Sequence, residues 1–196
     1  MELEKLSLTF RVFKKLNLIH DEKSYGDISL IKIVIHICKT LKIAFCFKLA
    51  YKPAWVETLF FNKVRASLWR SMGCHVGKGV CVGHTVAVDI GNTDLVVVED
   101  EVIITNGCTI LCHRRDMKGY KKGDNAYQLP YLHRPVTLKK RCQIGMGAII
   151  MPGVTVGEGA IVGARSVVTK DIPAWTIAAG SPCKVIKELE ERNGDE

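Results

Sequence analysis

Aliphatic residues recur at every sixth position through the second half of the chain. The uninterrupted run comprises Leu138, Ile144, Ile150, Val156, Val162 and Val168. The positions four residues later are mostly small, and they are Cys142, Ala148, Val154, Ala160, Ser166 and Ile172. Neither the helical period of 3.6 nor the strand period of 2 produces a period of six. The repeat therefore predicts a solenoid with three flat faces, in which each turn buries its apolar residues against its neighbours.

The six-residue repeat starts earlier in the chain and is broken twice. Its earlier positions are Val76, Val82 and Val88 before the first break, and Val98, Ile104 and Ile110 after it. The first break covers residues 90–97, and the second is a polar segment from His113 to Pro135. We therefore predict a repeat domain over residues 71–186, with an extended loop at 113–135 that leaves the coil.

The regions on either side lack the repeat. Residues 1–70 are predicted to be helical, and within them residues 28–51 are dense in apolar side chains. Four basic side chains of this segment fall close to one helical face: Lys32, His36, Lys39 and Lys42. The lysines argue against a membrane-spanning helix. Two interpretations stay open, because a basic amphipathic helix can lie on an anionic membrane surface or pack on the coil or a partner subunit. Residues 187–196 are predicted to be a polar tail with no more than a short helix.

Composition and charge narrow the partners that we expect. The chain of 196 residues carries a formal net charge of +8, and basic surfaces attract phosphates of any kind. No signature of DNA or RNA binding is present, so we expect no nucleic-acid partner. The eight cysteines show no CxxC spacing, and the first residues lack the pattern of a secretory signal peptide, so we expect none. We therefore expect reduced thiols, no metal site and a cytoplasmic location, with the inner membrane surface left open.

Four stretches near the end of the chain carry the most specific motifs. They are 144–148 (IGMGA), 153–157 (GVTVG), 162–173 (VGARSVVTKDIP) and 179–186 (AGSPCKVI). Together with the repeat they resemble the hexapeptide-repeat acyltransferase family, and most of all its sugar, maltose and galactoside O-acetyltransferases. The resemblance implies a mainly β protein folded as a left-handed parallel β-helix. It also implies a homotrimer that transfers an acetyl group from acetyl-CoA to a sugar or glycan hydroxyl, as in polysaccharide modification.

The loop at 113–135 is the predicted site of the chemistry. A 23-residue loop is unusual inside a compact domain, and such loops are usually functional. Acyl transfer from a thioester to a hydroxyl needs a general base, and an imidazole, with an ordinary pKa of about 6.5, suits that task at neutral pH. The resemblance assigns this role to His113, where the coil breaks into the loop. The loop also holds six basic and two acidic side chains, half of the net charge, which favours an anionic ligand. Its three tyrosines either stack on a sugar ring or pin the loop.

The first break supplies the predicted partners of the base. It lies one coil before His113, so its residues are expected to stack near that side chain. In the related sugar and maltose acetyltransferases, an Asp-x-Gly-x-Asn segment at this place contributes an asparagine to the acceptor site. Asp89 and Gly91 match this pattern, while the asparagine, Asn92, is displaced by one position. The resemblance therefore points to Asp89 and Asn92 as acceptor-binding residues.

The cofactor residues are likewise implied by the resemblance, which places acetyl-CoA in a groove between adjacent subunits. The positions matching that groove or its phosphate contacts are Met146, Ala164, Thr169, Lys170, Lys184 and Lys187. A backbone N–H near Met146 is the expected donor to the tetrahedral intermediate. The chain departs from the pattern at two positions: Gln143 replaces a tryptophan, and Met146 replaces a small polar residue.

Three other functions stay open at this point. An amino-sugar N-acetyltransferase would use the same coil and donor. A zinc carbonic anhydrase on the same coil needs three converging imidazoles, and the chain lacks a close pair of histidines on the coil faces. A non-catalytic scaffold needs only the repeat.

Overall fold

A computed structural model of the chain describes residues 7–15, 29–51 and 63–191. The remaining parts of the predicted helical region and the last five residues of the predicted tail lie outside the described residues. The chain divides into two compact units, Met1–Ala44 and Phe45–Glu196. The second unit contains the repeat.

Three helices occupy the described part of the region that was predicted to be helical. They are α1 (Leu8–Lys15), α2 (Leu30–Tyr51) and α3 (Lys63–Met72). The boundary between the two units falls within α2. None of these described helices is both long enough and apolar enough to cross a membrane.

The rest of the described chain consists of short strands joined by turns. The strands are β1 (His75–Val76), β2 (Cys81–Val82), β3 (Ala87–Val88), β4 (Val96–Val98), β5 (Ile103–Ile104), β6 (Thr109–Ile110), β7 (His113–Arg115), β8 (Tyr131–His133), β9 (Val136–Leu138), β10 (Gln143–Ile144), β11 (Ile149–Ile150), β12 (Thr155–Val156), β13 (Ile161–Val162), β14 (Val167–Val168), β15 (Thr176–Gly180) and β16 (Cys183–Glu188). A strand of two residues points one side chain inward and one outward, which is what the aliphatic repeat requires.

The strands stack into three sheets, one for each face of a triangular coil. The first sheet is β1-β4-β9-β12, the second is β2-β5-β10-β13-β15-β16, and the third is β3-β6-β11-β14. All neighbours in these sheets are parallel except β15 and β16. Ile144 pairs with Val162, eighteen residues later, which is one turn of three hexapeptides. The second unit is therefore the left-handed parallel β-helix that was predicted.

The inward residues of the repeat form one continuous core. From Leu138 to Val168 every aliphatic position of the six-residue repeat is at most 1% exposed. The small positions are also mostly buried, with Cys142, Ala148, Ala160 and Ser166 fully so. The glycines that directly follow the aliphatic residues lie at the corners, where the chain has little room. At Gly145, for example, an added Cβ would lie 2.5 Å from the backbone nitrogen of Ala164 in the next coil. The spacing of aliphatic and small residues thus reflects the triangular cross-section.

Helix α3 packs on the first coil of the β-helix. Trp69 and Met72 are each 1% exposed, and the backbone N–H of Cys74 donates to the carbonyl of Trp69 as the chain passes into the coil. The hydroxyl of Thr93, in the first break, donates to the carbonyl of Met72 at 2.7 Å. The helix therefore shields the end of the aliphatic core and supports the first break.

The loop and the tail have more structure than the sequence indicated. Residues 113–135 form an antiparallel hairpin of β7 and β8, with a short 3₁₀ segment at Ala126–Gln128. The chain after Ile186 continues strand β16 to Glu188, so the start of the tail is extended and not helical. Pairing with β15 explains this difference, since Ile177 lies opposite Lys187 and Thr176 opposite Glu188.

Strand β5 offers a matched test of the core. Ile104 is fully buried, whereas its neighbour Ile103 points outward and is 41% exposed. We expect Ile104→Ala to lower the free energy of unfolding by about 2–5 kcal/mol, because it leaves a cavity in a close-packed stack. Ile103→Ala removes the same atoms and is expected to cost less than about 1 kcal/mol. Urea unfolding of both variants checks this, and equal losses would contradict the inward orientation of the repeat.

Candidate active site

Both breaks of the repeat leave the coil at the same corner. The first lies between β3 of the third sheet and β4 of the first, and the second lies between β6 and β9 of the same two sheets. Because β3 and β6 are paired neighbours, the two insertions come out of adjacent coils. This topology brings the 3₁₀ segment Ile90–Leu95 and the hairpin together, although about twenty residues separate them in sequence.

Asp89 is held in place by the backbone of the next coil. Its backbone N–H donates to the carbonyl of Ile110 at 3.1 Å, continuing the ladder between β3 and β6. Its carboxylate oxygen Oδ2 accepts a hydrogen bond from the backbone N–H of Cys112 at 3.1 Å. The side chain is only 6% exposed. The carboxylate is therefore a buried group with a defined direction.

His113 contacts this carboxylate directly. Its Nδ1 lies 2.5 Å from Oδ2 of Asp89, a distance at which one of the two atoms must carry a proton. An ionised carboxylate only accepts, so Nδ1 is the donor and Nε2 is left as the basic nitrogen. The side chain of His113 is 38% exposed, and no partner for Nε2 is found among the described residues. The structure thus presents a carboxylate–imidazole pair with one free basic nitrogen.

Opposing effects act on the pKa of the Asp89 carboxyl. Burial is the largest and by itself would raise this pKa, but hydrogen bonds from His113, Asn92 and the backbone of Cys112 together outweigh it. The pKa of Asp89 is therefore held below its ordinary value, and the group is ionised at neutral pH. An ionised Asp89 stabilises a positive charge on the neighbouring imidazole.

Asn92 joins this pair to a second histidine. Its Nδ2 lies 3.3 Å from Nδ1 of His113, and its Oδ1 lies 2.7 Å from Nδ1 of His133. Asn92 has φ −137° and ψ 39°, a kink inside the 3₁₀ segment. The side chain predicted for the acceptor site thus reaches the base despite its displacement by one position in the sequence.

The hairpin has two chemically different faces. His113 and His133 are directly opposite each other in the ladder, so their side chains share a face, which also carries Tyr131 and Arg115. The Tyr131 ring meets the His113 ring edge-on at 5.3 Å, and the Arg115 guanidinium lies 3.9 Å from the centroid of Tyr131. Arg115 also lies 5.7 Å from the ring of Tyr127. Two of the three loop tyrosines therefore contact a loop arginine, which favours their role in pinning the loop.

The opposite face of the hairpin lines a cleft of about 670 Å³. Arg114 and Arg134 lie on one side of it, and Thr169 and Lys170 on the other, with residues 151–154 of the coil corner between them. Gly153, with φ +85°, makes this close approach possible, since an added Cβ would lie 2.9 Å from Cδ of Arg134. Asp171 also lines the cleft, and its Oδ1 accepts a hydrogen bond from the backbone N–H of Thr155. Three cationic side chains and one carboxylate make the cleft suitable for an anionic group.

The structure separates the predicted cofactor residues into two groups. Met146 and Ala164 follow β10 and β13, at the corner between the second and third sheets, and the backbone N–H of Arg165 donates to the carbonyl of Met146. Thr169 and Lys170 lie at the corner of the cleft, on the far side of the third sheet. At about 3.3 Å per residue, one face separates the corners by on the order of 15 Å. Within one protomer, Met146 and His113 therefore belong to different corners.

Lys184 and Lys187 lie on strand β16. Both are exposed, and they pair with Ala179 and Ile177 of β15, at the edge of the second sheet. The backbone N–H of Gly180 donates to the hydroxyl of Ser166, which ties this edge to the corner that carries Ala164. These two lysines are therefore associated with the Met146 and Ala164 corner.

The thiol of Cys112, next to His113 in the sequence, is not a candidate nucleophile. Burial raises the pKa of Cys112 to about 11, so this residue is protonated at neutral pH. Burial likewise raises the pKa of Cys74 and of Cys142 to about 12. Within residues 7–15, 29–51 and 63–191, no three His, Cys, Asp or Glu side chains are grouped closely enough to hold a metal ion.

From the sequence, His133 was considered only as a residue that could line the acceptor pocket, and Arg114 and Arg134 counted only as basic residues of the loop. His133, Arg114 and Arg134 lie at the two ends of the loop, and only the register of the hairpin shows which face each one occupies. The sequence does contain a His-Arg pair at each end of the loop, His113-Arg114 and His133-Arg134. Because no hairpin was predicted, the sequence did not show that the two pairs lie opposite each other.

Comparison with known proteins agrees with the fold. Residues 135–170 match the family model described as bacterial transferase hexapeptide (six repeats). The galactoside O-acetyltransferase of Escherichia coli K12 is 30% identical over 141 residues, which are 71% of this chain and 63% of that protein. A Schizosaccharomyces pombe relative is 54% identical over 56 residues, 29% of this chain, but the match spans only 27% of its length. The chain thus covers less than two thirds of the length of these curated relatives.

Solved structures show the same architecture. A maltose O-acetyltransferase from Clostridium difficile 630 is 26% identical, with a TM-score of 0.61 over 79% of this chain and 88% of that one. A galactoside acetyltransferase in complex with coenzyme A is also 26% identical, with a TM-score of 0.56 over 79% of this chain and 82% of that one. In its six-residue repeat and in its left-handed β-helix, this chain resembles the hexapeptide-repeat transferases.

Proposed function

We propose that this protein is an O-acetyltransferase that moves an acetyl group from acetyl-CoA to a sugar or glycan hydroxyl, with His113 as the general base. The observation that carries the proposal is the buried, ionised Asp89 bonded to Nδ1 of His113, which leaves Nε2 basic. This is the arrangement that activates a hydroxyl nucleophile through an imidazole and a carboxylate. The names of the O-acetyltransferase relatives support the same reaction.

His113 and Asp89 account for each proton transfer in this reaction. The thioester supplies an activated acetyl group, and Nε2 of His113 removes the proton of the acceptor hydroxyl as its oxygen attacks the carbonyl carbon. The imidazolium that forms is stabilised by Asp89. When the carbon–sulfur bond breaks, the same imidazolium returns its proton to the leaving sulfur. The histidine therefore ends the cycle in its starting state.

The predicted cofactor residues fit the donor chemically. Phosphates of coenzyme A require cations and hydroxyl or backbone donors. Lys170 and Thr169 supply these groups in the cleft, and Lys184 and Lys187 supply cations that are exposed on β16. The galactoside acetyltransferase that resembles this chain has been solved in complex with coenzyme A, which carries the same phosphates as acetyl-CoA.

A homotrimer explains why the predicted cofactor residues lie at two corners. Within one protomer the third sheet separates Met146 and Ala164 from Thr169 and Lys170. A groove between two copies would use one corner from each, as the family resemblance implies. Met146 is 57% exposed on the single chain, so its backbone and side chain are accessible to a partner. We therefore propose that the Met146 corner of one subunit faces the His113 corner of another.

The experiment that tests this function is an acceptor panel. Purified protein is incubated with acetyl-CoA and sugars, amino sugars, sugar phosphates or glycan oligomers, and release of the thiol is measured. Turnover on hydroxyl acceptors with formation of an ester supports the proposal, whereas an amide product would assign an amino-sugar N-acetyltransferase. Absence of turnover on every class would favour a scaffold.

We also propose that helix α2 binds an anionic membrane surface, which would bring the enzyme to lipid-linked glycans. The helix holds four lysines and no acidic residue. Large apolar side chains are exposed along it, including Ile31 at 72% and Leu41 at 64%. On an anionic membrane the exposed apolar side chains would be buried and the lysines would meet the charged head groups. The proposed location is therefore cytoplasmic, at the inner membrane surface.

A charge reversal with a matched control tests this membrane binding. We expect the triple change of Lys32, Lys39 and Lys42 to Glu to weaken binding to phosphatidylglycerol vesicles about a hundredfold, since each basic residue near such a surface contributes about 1 kcal/mol. The same three reversals at Lys118, Lys121 and Lys122 of the loop alter the net charge equally and are expected to have a smaller effect. Vesicle co-sedimentation measures both, and equal weakening by the two triple variants would reject the helix as the contact.

A further inference from the structure

We infer that His133 is a positioning residue, which sets the orientation of the Asn92 amide and thereby the hydrogen bonds around Asp89 and His113. The inference rests on the proposed function only for its effect on kcat. The hydrogen bond from Nδ1–H of His133 to Asn92 can be tested without any turnover.

The orientation of the Asn92 amide fixes the tautomer of His133. Oδ1 of Asn92 lies 2.7 Å from Nδ1 of His133. An amide oxygen only accepts, so Nδ1 of His133 carries the proton and donates it. The ladder register explains how His133 reaches this position. His133 in β8 stands directly opposite His113 in β7. The N–H of Arg134 donates to the carbonyl of Cys112 beside this pair, so His113 and His133 form a non-hydrogen-bonded pair of the antiparallel ladder. In such pairs the two side chains are closest together.

The other end of the amide then points to the catalytic pair. Nδ2 of Asn92 is a donor, and it lies beside the Nδ1 of His113, whose proton is already given to Asp89. The Asn92 side chain is also among the groups that hold the pKa of the Asp89 carboxyl below its ordinary value, which requires its Nδ2 donor to face this carboxylate. With the amide reversed, Oδ1 would face the buried carboxylate and two acceptors would meet. An Nδ1–H donor on His133 therefore stabilises the productive orientation from the other side.

Packing does not perform this selection. The neighbouring Gly91 is exposed, and an added Cβ there would find nothing within 4 Å. Asn92 itself is half-buried at a kink in the 3₁₀ segment. The two ends of a side-chain amide have nearly the same shape, so only hydrogen bonding distinguishes them. For Asn92 the groups that distinguish them are His133 on one side and the Asp89–His113 pair on the other.

Replacing His133 by Asn or by Asp, two side chains of nearly equal size, tests whether His133 positions Asn92 through its donor or only contacts it. H133N keeps a donor close to the place of Nδ1, whereas H133D puts an acceptor there, which favours the reversed amide. We expect H133N to retain kcat within about threefold. H133D and H133A are expected to lower kcat about tenfold or more, because a small misplacement of the reacting groups is costly. The KM for acetyl-CoA is expected to stay unchanged in all three.

A double-mutant cycle tests whether the effect passes through Asn92. In the N92A background, H133A is expected to have no further effect on kcat. If H133A lowers kcat equally with and without Asn92, or if H133N is as damaging as H133A, His133 acts on its own and the inference is wrong. A rise in the KM for the acceptor alone would likewise assign His133 to acceptor binding.

Nuclear magnetic resonance of the nitrogen-15-labelled protein gives a readout that needs no turnover. We expect the His133 ring to be in the Nδ1–H tautomer, and the Asn92 side-chain NH₂ signal, identified by its loss in N92A, to be protected from solvent exchange. H133N should keep this protection and H133D should lose it. An Nδ1 of His133 without a proton, or an NH₂ signal equally protected in H133D, would overturn the inference. Because these signals are independent of the acceptor, failure of the proposed reaction would be recognised separately.

Discussion

His113→Ala is expected to lower kcat by about 10²- to 10⁴-fold while the fold and the oligomeric mass stay unchanged. The reason is that Nε2 of His113 is the free basic nitrogen of the corner, and the neighbouring Cys112 thiol is protonated at neutral pH. Loss of this base leaves the acceptor hydroxyl with its proton during the attack. Steady-state kinetics with acetyl-CoA and the best acceptor of the panel measures the effect.

The matched control is His75→Ala. His75 is an exposed histidine in β1, where it pairs with Val97, and the hydrogen bonds that join Asp89, Asn92 and His113 do not include it. Its removal is expected to leave kcat within about twofold. Thermal unfolding and light scattering of both variants show whether the β-helix and the oligomeric state are unchanged. Activity of the His113→Ala variant within tenfold of wild type would mean that another group is the base.

Asp89→Asn is expected to have an effect of similar size, about 10²- to 10⁴-fold on kcat. In serine-protease triads the same change leaves the geometry intact but places the proton on the wrong imidazole nitrogen, and kcat falls about 10⁴-fold. Here the amide can donate to Nδ1 of His113, which would move the ring proton to Nε2 and remove the base. It also removes the negative charge that stabilises the imidazolium.

The same variant has a signature in the dependence of stability on pH. The pKa of Asp89 is lower in the folded chain than in the unfolded chain, so the ionised group stabilises the fold above its unfolded pKa of about 3.9. That stabilisation is lost as the pH falls through the lower, folded pKa. The Asp89→Asn variant is therefore expected to be less stable than wild type at neutral pH, and the difference should shrink in acid.

Asp94→Asn is the control for this prediction. Asp94 lies in the same 3₁₀ segment and is exposed, so the change alters charge by the same amount at nearly the same place. It is expected to leave both kcat and the pH dependence of stability close to those of wild type. Chemical denaturation between about pH 2 and 7 makes the comparison, because the difference changes below the unfolded pKa of about 3.9. A difference that grows in acid would contradict the assignment of Asp89.

The fold was predictable because its signal is repeated many times. An aliphatic residue recurs at every sixth position from Leu138 to Val168, and each one is buried in the structure. Each repeat therefore gives separate evidence for the same coil. The handedness was less accessible, because the period alone does not distinguish left from right and the family resemblance supplied it. The hairpin was also missed, since three residues on each side of a polar loop carry little periodic signal.

The candidate site was predictable only in part. The two breaks drew attention to Asp89, Asn92 and His113, and the structure brings these three into contact. The catalytic role of His113 and the binding roles of the others stay predictions. His133 was not distinguishable from a solvated loop residue, because its significance depends on the ladder register that puts it opposite His113.

The sequence by itself determined the β-helix, the two places where the chain leaves it, and the residue types available there. These are local and periodic properties, and a short repeat records them directly. Only the tertiary structure decided that both breaks emerge from one corner, that Arg114 and His113 face opposite sides of a hairpin, and that Met146 lies at another corner. Such relations depend on which strands stack and in which register, and they join residues twenty to forty positions apart that share no pattern along the chain.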